Sequence, residues 1–250
     1  HYNSTYVGIN GVTNRSITRT TLPALLCPSD PGASVKYTAA MGPTSYALSS
    51  GPGSHWSMRT NMAGFTTLWR GSVIRDITDG TSNTIAGAEL QLGQNKGRWQ
   101  TPSDPSERIK WYRVTGAGRL QKANNTNGRK FRATAADMAV INGYYSNCLS
   151  RYDSGTGWNG ASDEQGRYWA TGRVFWGPWH TTLVGPNAGP SCDNDNSVTD
   201  MSIKEPSSYH PGGVHVLLAD GATRFVNETI DQGIWIALGS RDGGDTIGEF

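Results

Sequence analysis

The 250 residues carry 22 lysines and arginines against 20 aspartates and glutamates, a formal net charge of +2, with charged residues at only 17%. So even a balance gives no electrostatic footprint for nucleic acid or an anionic membrane surface, both of which call for a concentrated basic patch. Thirty-two glycines, nine tryptophans and ten tyrosines describe a polar, turn-rich chain of the exported β-rich kind, and no run reaches the ~18 consecutive apolar residues of a membrane span.

Residues 1–21 are polar. The apolar run Leu22–Cys27 is cut by Pro23 and stopped by Pro28, and Pro28-Ser29-Asp30-Pro31-Gly32 is strong turn chemistry. Residues 37–70, rich in Gly and Ser, predict irregular structure with short strands. Val73, Ile74 and Ile77 are spaced for a short helical turn, Asp79-Gly80 for a turn, and Thr84–Ala88 for a strand. Residues 91–130 are polar and basic and predict an exposed excursion with a hairpin around Trp111–Val114. A helix is expected over 133–145, ended by Asn142-Gly143 as a left-handed cap.

Residues 151–200 hold Trp158, Trp169, Trp176 and Trp179 among many Gly, Asn and Asp, an aromatic-pinned loop insertion. The clearest pattern follows. Val214, Val216 and Leu218 alternate with His215 and Leu217, Asp220-Gly221 marks a hairpin turn, and Ala222–Val226 returns. Ile230, Ile234, Trp235 and Leu238 then define an amphipathic helix closed by Gly239. The fold expected is a single α+β, β-dominated domain over 1–250. It has an antiparallel sheet, long loops and a C-terminal hairpin followed by a helix.

Cys27, Cys148 and Cys192 form no CxxC pair. In an oxidising compartment one disulfide and one odd thiol are expected, against the alternative of three buried thiols. Cys148–Cys192 is the pairing expected, because both lie in polar, Gly- and Asn-rich surroundings. Cys27, in the run Leu25-Leu26-Cys27, reads as core.

Several motifs stand in a fixed order: LLCPSDP (25–31), SYALSSG (45–51), ITDGTSNTIAGAE (77–89), GPNAGPSC (185–192) and SSYHPGG (207–213). His210, nine residues and Asp220-Gly221 complete the set. Together they resemble a large bacterial prepilin-like family with a C-terminal H-x9-DG signature, which is also filed as a solute-binding-like domain of unknown function. The resemblance implies a pilin-like globular domain, exported to the cell surface or beyond. Its role would be that of a structural, non-catalytic subunit, of the type IV pilin or type II secretion pseudopilin kind, in a filament or secretion-related assembly. Its partners would be like subunits. The apolar N-terminal helix of the family is absent from this sequence, which opens on His1 and reads as a processed or truncated product. No membrane contact by this fragment is therefore expected.

Candidate chemistry is weighed against plainer readings. His210 with Asp220 could orient a base or hold a metal. Asp220 at a hairpin turn, however, satisfies backbone N–H groups, and two histidines, His210 and His215, make a weak zinc set without a third ligand. Asp193, Asp195 and Asp200 are hard oxygen ligands suited to calcium, in a pattern that only partly matches a calcium loop. Trp158, Trp169, Trp176 and Trp179 could stack on a glycan. Asp30, Asp79 with Gly80, and Asp220 with Gly221 read as structural turn residues. No nucleophile elbow, phosphate loop or H-E-x-x-H motif is present. The expectation is no enzyme and no cofactor, with calcium as a candidate ion. The alternative function is an extracytoplasmic glycan- or solute-binding module.

Overall fold

The structure, a computed structural model, describes residues 14–34, 42–54, 63–66, 70–93, 113–114, 120, 130–154, 165–171, 177–193, 203–245, 247 and 250. The strands among them are β1 (Tyr46–Ser49), β2 (Ile85–Glu89), β3 (Arg113–Val114), β4 (Trp179–His180), β5 (Ser191–Cys192), β6 (Gly213–Leu218) and β7 (Thr223–Asn227). The helices are α1 (Asn14–Thr18), α2 (Ala135–Asp153) and α3 (Gln232–Gly239). The result is a mixed α+β fold dominated by one five-stranded sheet in the order β4-β1-β2-β6-β7. Its β1–β2, β2–β6 and β6–β7 pairs are antiparallel, and β4 adds in parallel at the edge. The short strands β3 and β5 form a separate parallel pair.

The C-terminal hairpin follows from its alternation. Val214, Val216 and Leu218 are buried, while Leu217 is exposed, so a period of two places one face on the core. Behind that face α3 packs Trp235 and Leu238 against Ile85, Val214, Val216 and Val226. Asp231 caps α3 by accepting the Ile234 N–H at 3.0 Å. Gly239 does not close the helix as a left-handed cap; it is the last helical residue and lies outside the positive-φ glycines. Close packing is the reason for glycine there, since a Cβ would fall 1.7 Å from Thr182 Oγ1.

The second core gathers around α2. The helix starts at Thr134, whose hydroxyl accepts the Asp137 N–H at 3.2 Å, and it runs for 19 residues. It does not stop at Asn142-Gly143. Ile141, Tyr144, Tyr145, Cys148 and Tyr152 form one buried stripe at helical spacing. Burying that stripe outweighs the roughly 1 kcal/mol that glycine costs inside a helix. Gly143 itself is exposed, and nothing lies within 4 Å of where its Cβ would stand. Gly143→Ala is therefore expected to stabilise the protein by about 0.5–1 kcal/mol, read by chemical denaturation. Equal or lower stability would contradict a helix through this point.

Part of the expected excursion over 91–130 packs inward, because Val114 and Leu120 are both buried in the α2 core. Apolar contact with α2 overrides the polar character of the flanking residues. Residues 91–93, Arg113 and Lys130 are described as well, with Arg113–Val114 paired in parallel to β5. The remainder of that stretch, including Trp111 and Tyr112, lies outside the described residues. Cys148 on α2 and Cys192 on β5 are joined by a disulfide, which fastens the helix to the small sheet. Among the described residues no helix is long and apolar enough to cross a membrane.

Candidate functional site

The face of the large sheet away from α3 is built from the other half of each alternation. Tyr46 and Leu48 of β1, Leu217 of β6 and Phe225 of β7 are all exposed. Between the two leucines the central strand carries a glycine, since Gly87 is in register with Leu48 on one side and Leu217 on the other. The missing side chain leaves the sheet bare there and a trough forms, with a volume of ≈ 420 Å³. Leu25, Tyr46, Leu48, Trp169, Pro178 and Leu217 give it apolar walls, and Glu89 and His215 line it as well.

Glu89, the last residue of β2, is the hub of this region. Its carboxylate is buried, with the side chain 7% exposed. One oxygen, Oε2, accepts the His215 backbone N–H at 2.8 Å and lies 3.2 Å from His215 Nδ1. The other, Oε1, lies 3.0 Å from His210 Nε2 and accepts the Cys27 thiol at 3.8 Å. Cys27 Sγ is in turn 3.8 Å from His210 Nε2. The His210 ring meets the His215 ring edge-on at 4.9 Å, and His215 meets Phe225 at 5.1 Å.

Each arm of this hub is held by its own loop. Asp30 clamps the Cys27 segment to the exit of β2, its two oxygens accepting Gly32 N–H and Leu92 N–H, both at 2.8 Å. Burial pushes the Asp30 carboxyl up to about 6, the nearby Glu89 charge adding to a rise that the two N–H groups oppose. His210 is set by Ser208, whose hydroxyl accepts the His210 N–H at 3.1 Å and donates to Gly213 O at 2.7 Å. Asn187, in the left-handed region at φ 59°, accepts the Ser208 N–H at 3.0 Å. Gln91 donates to Ser208 O at 2.6 Å. Segments 25–31 and 207–213 thus meet at the Glu89 carboxylate that ends 77–89, and 185–192 braces the His210 arm through Asn187.

Not every residue singled out in the sequence belongs here. Asp220 does not approach His210. The six residues of β6 stand between their two ends, roughly 20 Å of strand at ~3.3 Å each. The Asp220 carboxylate accepts the Ala222 N–H at 2.9 Å within the turn, and Gly221 takes φ 90° beside it. Asp79 accepts the backbone N–H groups of Gly243 and Gly244, at 2.5 and 2.8 Å, while Gly80 turns at φ 94°. These carboxylates hold backbone.

Trp179 is buried on β4, so its ring cannot meet a glycan. Trp169 lines the trough and donates its indole N–H to Thr20 O at 3.0 Å. Trp158 and Trp176 lie outside the described residues, as do Asp195 and Asp200. Asp193 is buried, with its N–H on Val114 O at 2.8 Å. A further buried polar group, Lys204 with Glu205 and His180, sits elsewhere. Lys204 Nζ donates to Gly177 O at 2.9 Å, and burial drives the lysine well down and the glutamate well up.

Sequence reasoning placed His210 and His215 near one another but missed Glu89 and Cys27. The usable signal was a carboxylate closing a strand of small apolar residues, Ile85-Ala86-Gly87-Ala88-Glu89, where no turn requires an acid.

Fold and site together define a mixed α+β domain that presents an apolar trough with a buried carboxylate beside two histidines. The chain belongs to the family SBP_bac_10, described as "Protein of unknown function (DUF1559)", whose model matches residues 5–233. No curated protein and no solved structure matches the chain.

Proposed function

We propose that this domain is a non-catalytic binding module of a bacterial cell-surface or extracellular protein. It takes a small solute with an apolar body in the trough and a hydrogen-bonding or cationic head at Glu89. The trough carries this reading. Its ≈ 420 Å³ lies within the range of roughly 300–1,000 Å³ of small-molecule sites, which combine apolar walls with a few placed polar groups. The solute-binding-like filing of the family points the same way. The hub geometry argues against nucleophilic catalysis. In a Cys–His–acid relay the imidazole uses one nitrogen for the nucleophile and the other for the acid. Here Cys27 and Glu89 both face Nε2 of His210.

A second reading, a pilin-like structural subunit, is favoured by the ordered motifs of the sequence. In that reading the exposed Leu48, Leu217 and Phe225 are covered by a like subunit. One pair of measurements separates the two: fluorescence titration with N-phenyl-1-naphthylamine, and sedimentation of the same protein over a range of concentrations. Saturable binding of one equivalent by a monomer, lost in Leu48→Glu/Leu217→Glu with unchanged melting temperature, is the outcome expected. Absence of binding, with concentration-dependent assembly that the same variant abolishes, would replace it with the subunit reading.

A further inference from the structure

The Cys27–Glu89–His210 cluster has a geometry that neither a solute site nor a structural subunit requires. Three ligand-type atoms of three chemistries, a thiol sulfur, a carboxylate oxygen and an imidazole nitrogen, all lie within 4.8 Å of one another. Their separations are 3.8 Å for Sγ to Nε2, 3.8 Å for Sγ to Oε1 and 3.0 Å for Nε2 to Oε1. A tetrahedral zinc ion, with Zn–S of ~2.3 Å and Zn–N or Zn–O of ~2.0–2.1 Å, sets sulfur about 3.6 Å from each of the others and N about 3.3 Å from O. The triangle present differs from that by a few tenths of an ångström, within the reach of small side-chain rotations.

The surroundings also suit an ion. Cys27 and Glu89 are buried and His210 is partly open, its side chain 27% exposed, so two ligands are shielded while one side faces solvent. The second carboxylate oxygen is held by the His215 N–H and ring. That is the outer-layer support which fixes the orientation of a ligating carboxylate. The Cys27 backbone is fixed as well, its carbonyl accepting the Asp30 N–H at 3.0 Å. Sulfur with imidazole and one carboxylate is a borderline-soft donor set; it excludes calcium and magnesium and suits zinc or cobalt(II).

We propose that Cys27, Glu89 and His210 form a site for a zinc-type divalent ion, with His215 positioning the carboxylate and solvent completing the fourth position. Binding releases the thiol proton to solvent, and the proton that His210 Nε2 and Glu89 Oε1 share moves to the other ring nitrogen or to solvent. The metal–sulfur, metal–nitrogen and metal–oxygen bonds then form without any change of oxidation state. The site shares Glu89 with the trough but rests on the Cys27–Glu89–His210 triangle alone, and this donor set does not suit calcium.

Cobalt(II) titration of the full chain under anaerobic conditions reads the site directly. The expected result is one equivalent of cobalt, with a sulfur-to-cobalt charge-transfer band in the near ultraviolet and tetrahedral absorption in the visible. Zinc displaces both and raises the melting temperature. Cys27→Ser loses the charge-transfer band and His210→Gln loses tight binding, each checked for folding by its near-ultraviolet circular dichroism. His215→Ala retains the band but binds about 10–100-fold more weakly, as expected for a positioning group. Two results would overturn the assignment: no charge-transfer band in the wild type, or a band that persists in Cys27→Ser. Because the cobalt spectrum does not depend on the naphthylamine probe, failure here leaves the trough reading intact.

Discussion

Replacing Cys148 and Cys192 together by alanine is expected to lower the melting temperature by roughly 8–16 °C. The bond closes a loop with a sequence separation of 44, and loop-closure entropy for a loop of that length amounts to about 4 kcal/mol in the unfolded chain. For a protein of this size each kcal/mol shifts the melting temperature by roughly 2–4 °C. Both sulfurs are fully buried, among Val114, Ile141, Tyr144 and Ile203, so the lost packing adds to the entropic effect. Scanning calorimetry of the double variant measures it. A fall of less than about 2 °C would mean that α2 and the β3–β5 pair are held by apolar contact alone.

The second large effect is expected at Glu89. Glu89→Ala leaves the half-buried His215 N–H without its acceptor and removes the partner of both imidazoles. Hydrogen bonds to a charged group are worth about 1.5–3 kcal/mol each and are not additive, so the loss should be about 2–4 kcal/mol in urea unfolding. Glu89→Gln keeps the shape and one acceptor oxygen and should lose roughly half as much. The rank order is the sharper prediction. A variant pair with equal and negligible losses would show the carboxylate to be a bystander between two half-buried histidines.

The C-terminal part of the fold was legible because its signals are local. Asp220-Gly221 between alternating apolar residues yields the β6–β7 hairpin, and Ile230, Ile234, Trp235 and Leu238 repeat at helical spacing against it. Asp30, Asp79 and Asp220 sit in turn contexts, and each accepts backbone N–H groups. Misreadings arose where a local signal met a longer-range one. Asn142-Gly143 is a good stop signal taken alone, yet Tyr144, Tyr145, Cys148 and Tyr152 carry the buried stripe beyond it. Polar surroundings similarly concealed the burial of Val114 and Leu120.

The site was the least legible part, for a physical reason. Cys27 and Glu89 are separated by 62 residues, and Glu89 and His210 by 121. Neither distance has a periodicity to betray it. Cys27 follows two leucines and so resembles core, which its burial fits; its neighbours Glu89 and His210 are what set it apart. His210 was paired in sequence with Asp220 because both belong to one motif, whereas the sheet pairs β6 with β2 and delivers Glu89 instead. The trough was hidden for a similar reason. It arises from the absence of a side chain at Gly87 between Leu48 and Leu217, which becomes meaningful only once the register is known.

The most direct test of the binding reading is to locate a bound apolar probe by intermolecular nuclear Overhauser effects, using N-phenyl-1-naphthylamine with the isotope-labelled chain. Contacts from the probe to Tyr46, Leu48 and Leu217, with a shift of the His215 ring signals, are the expected result. Contacts confined to other surfaces, with these four residues unperturbed at saturation, would contradict it.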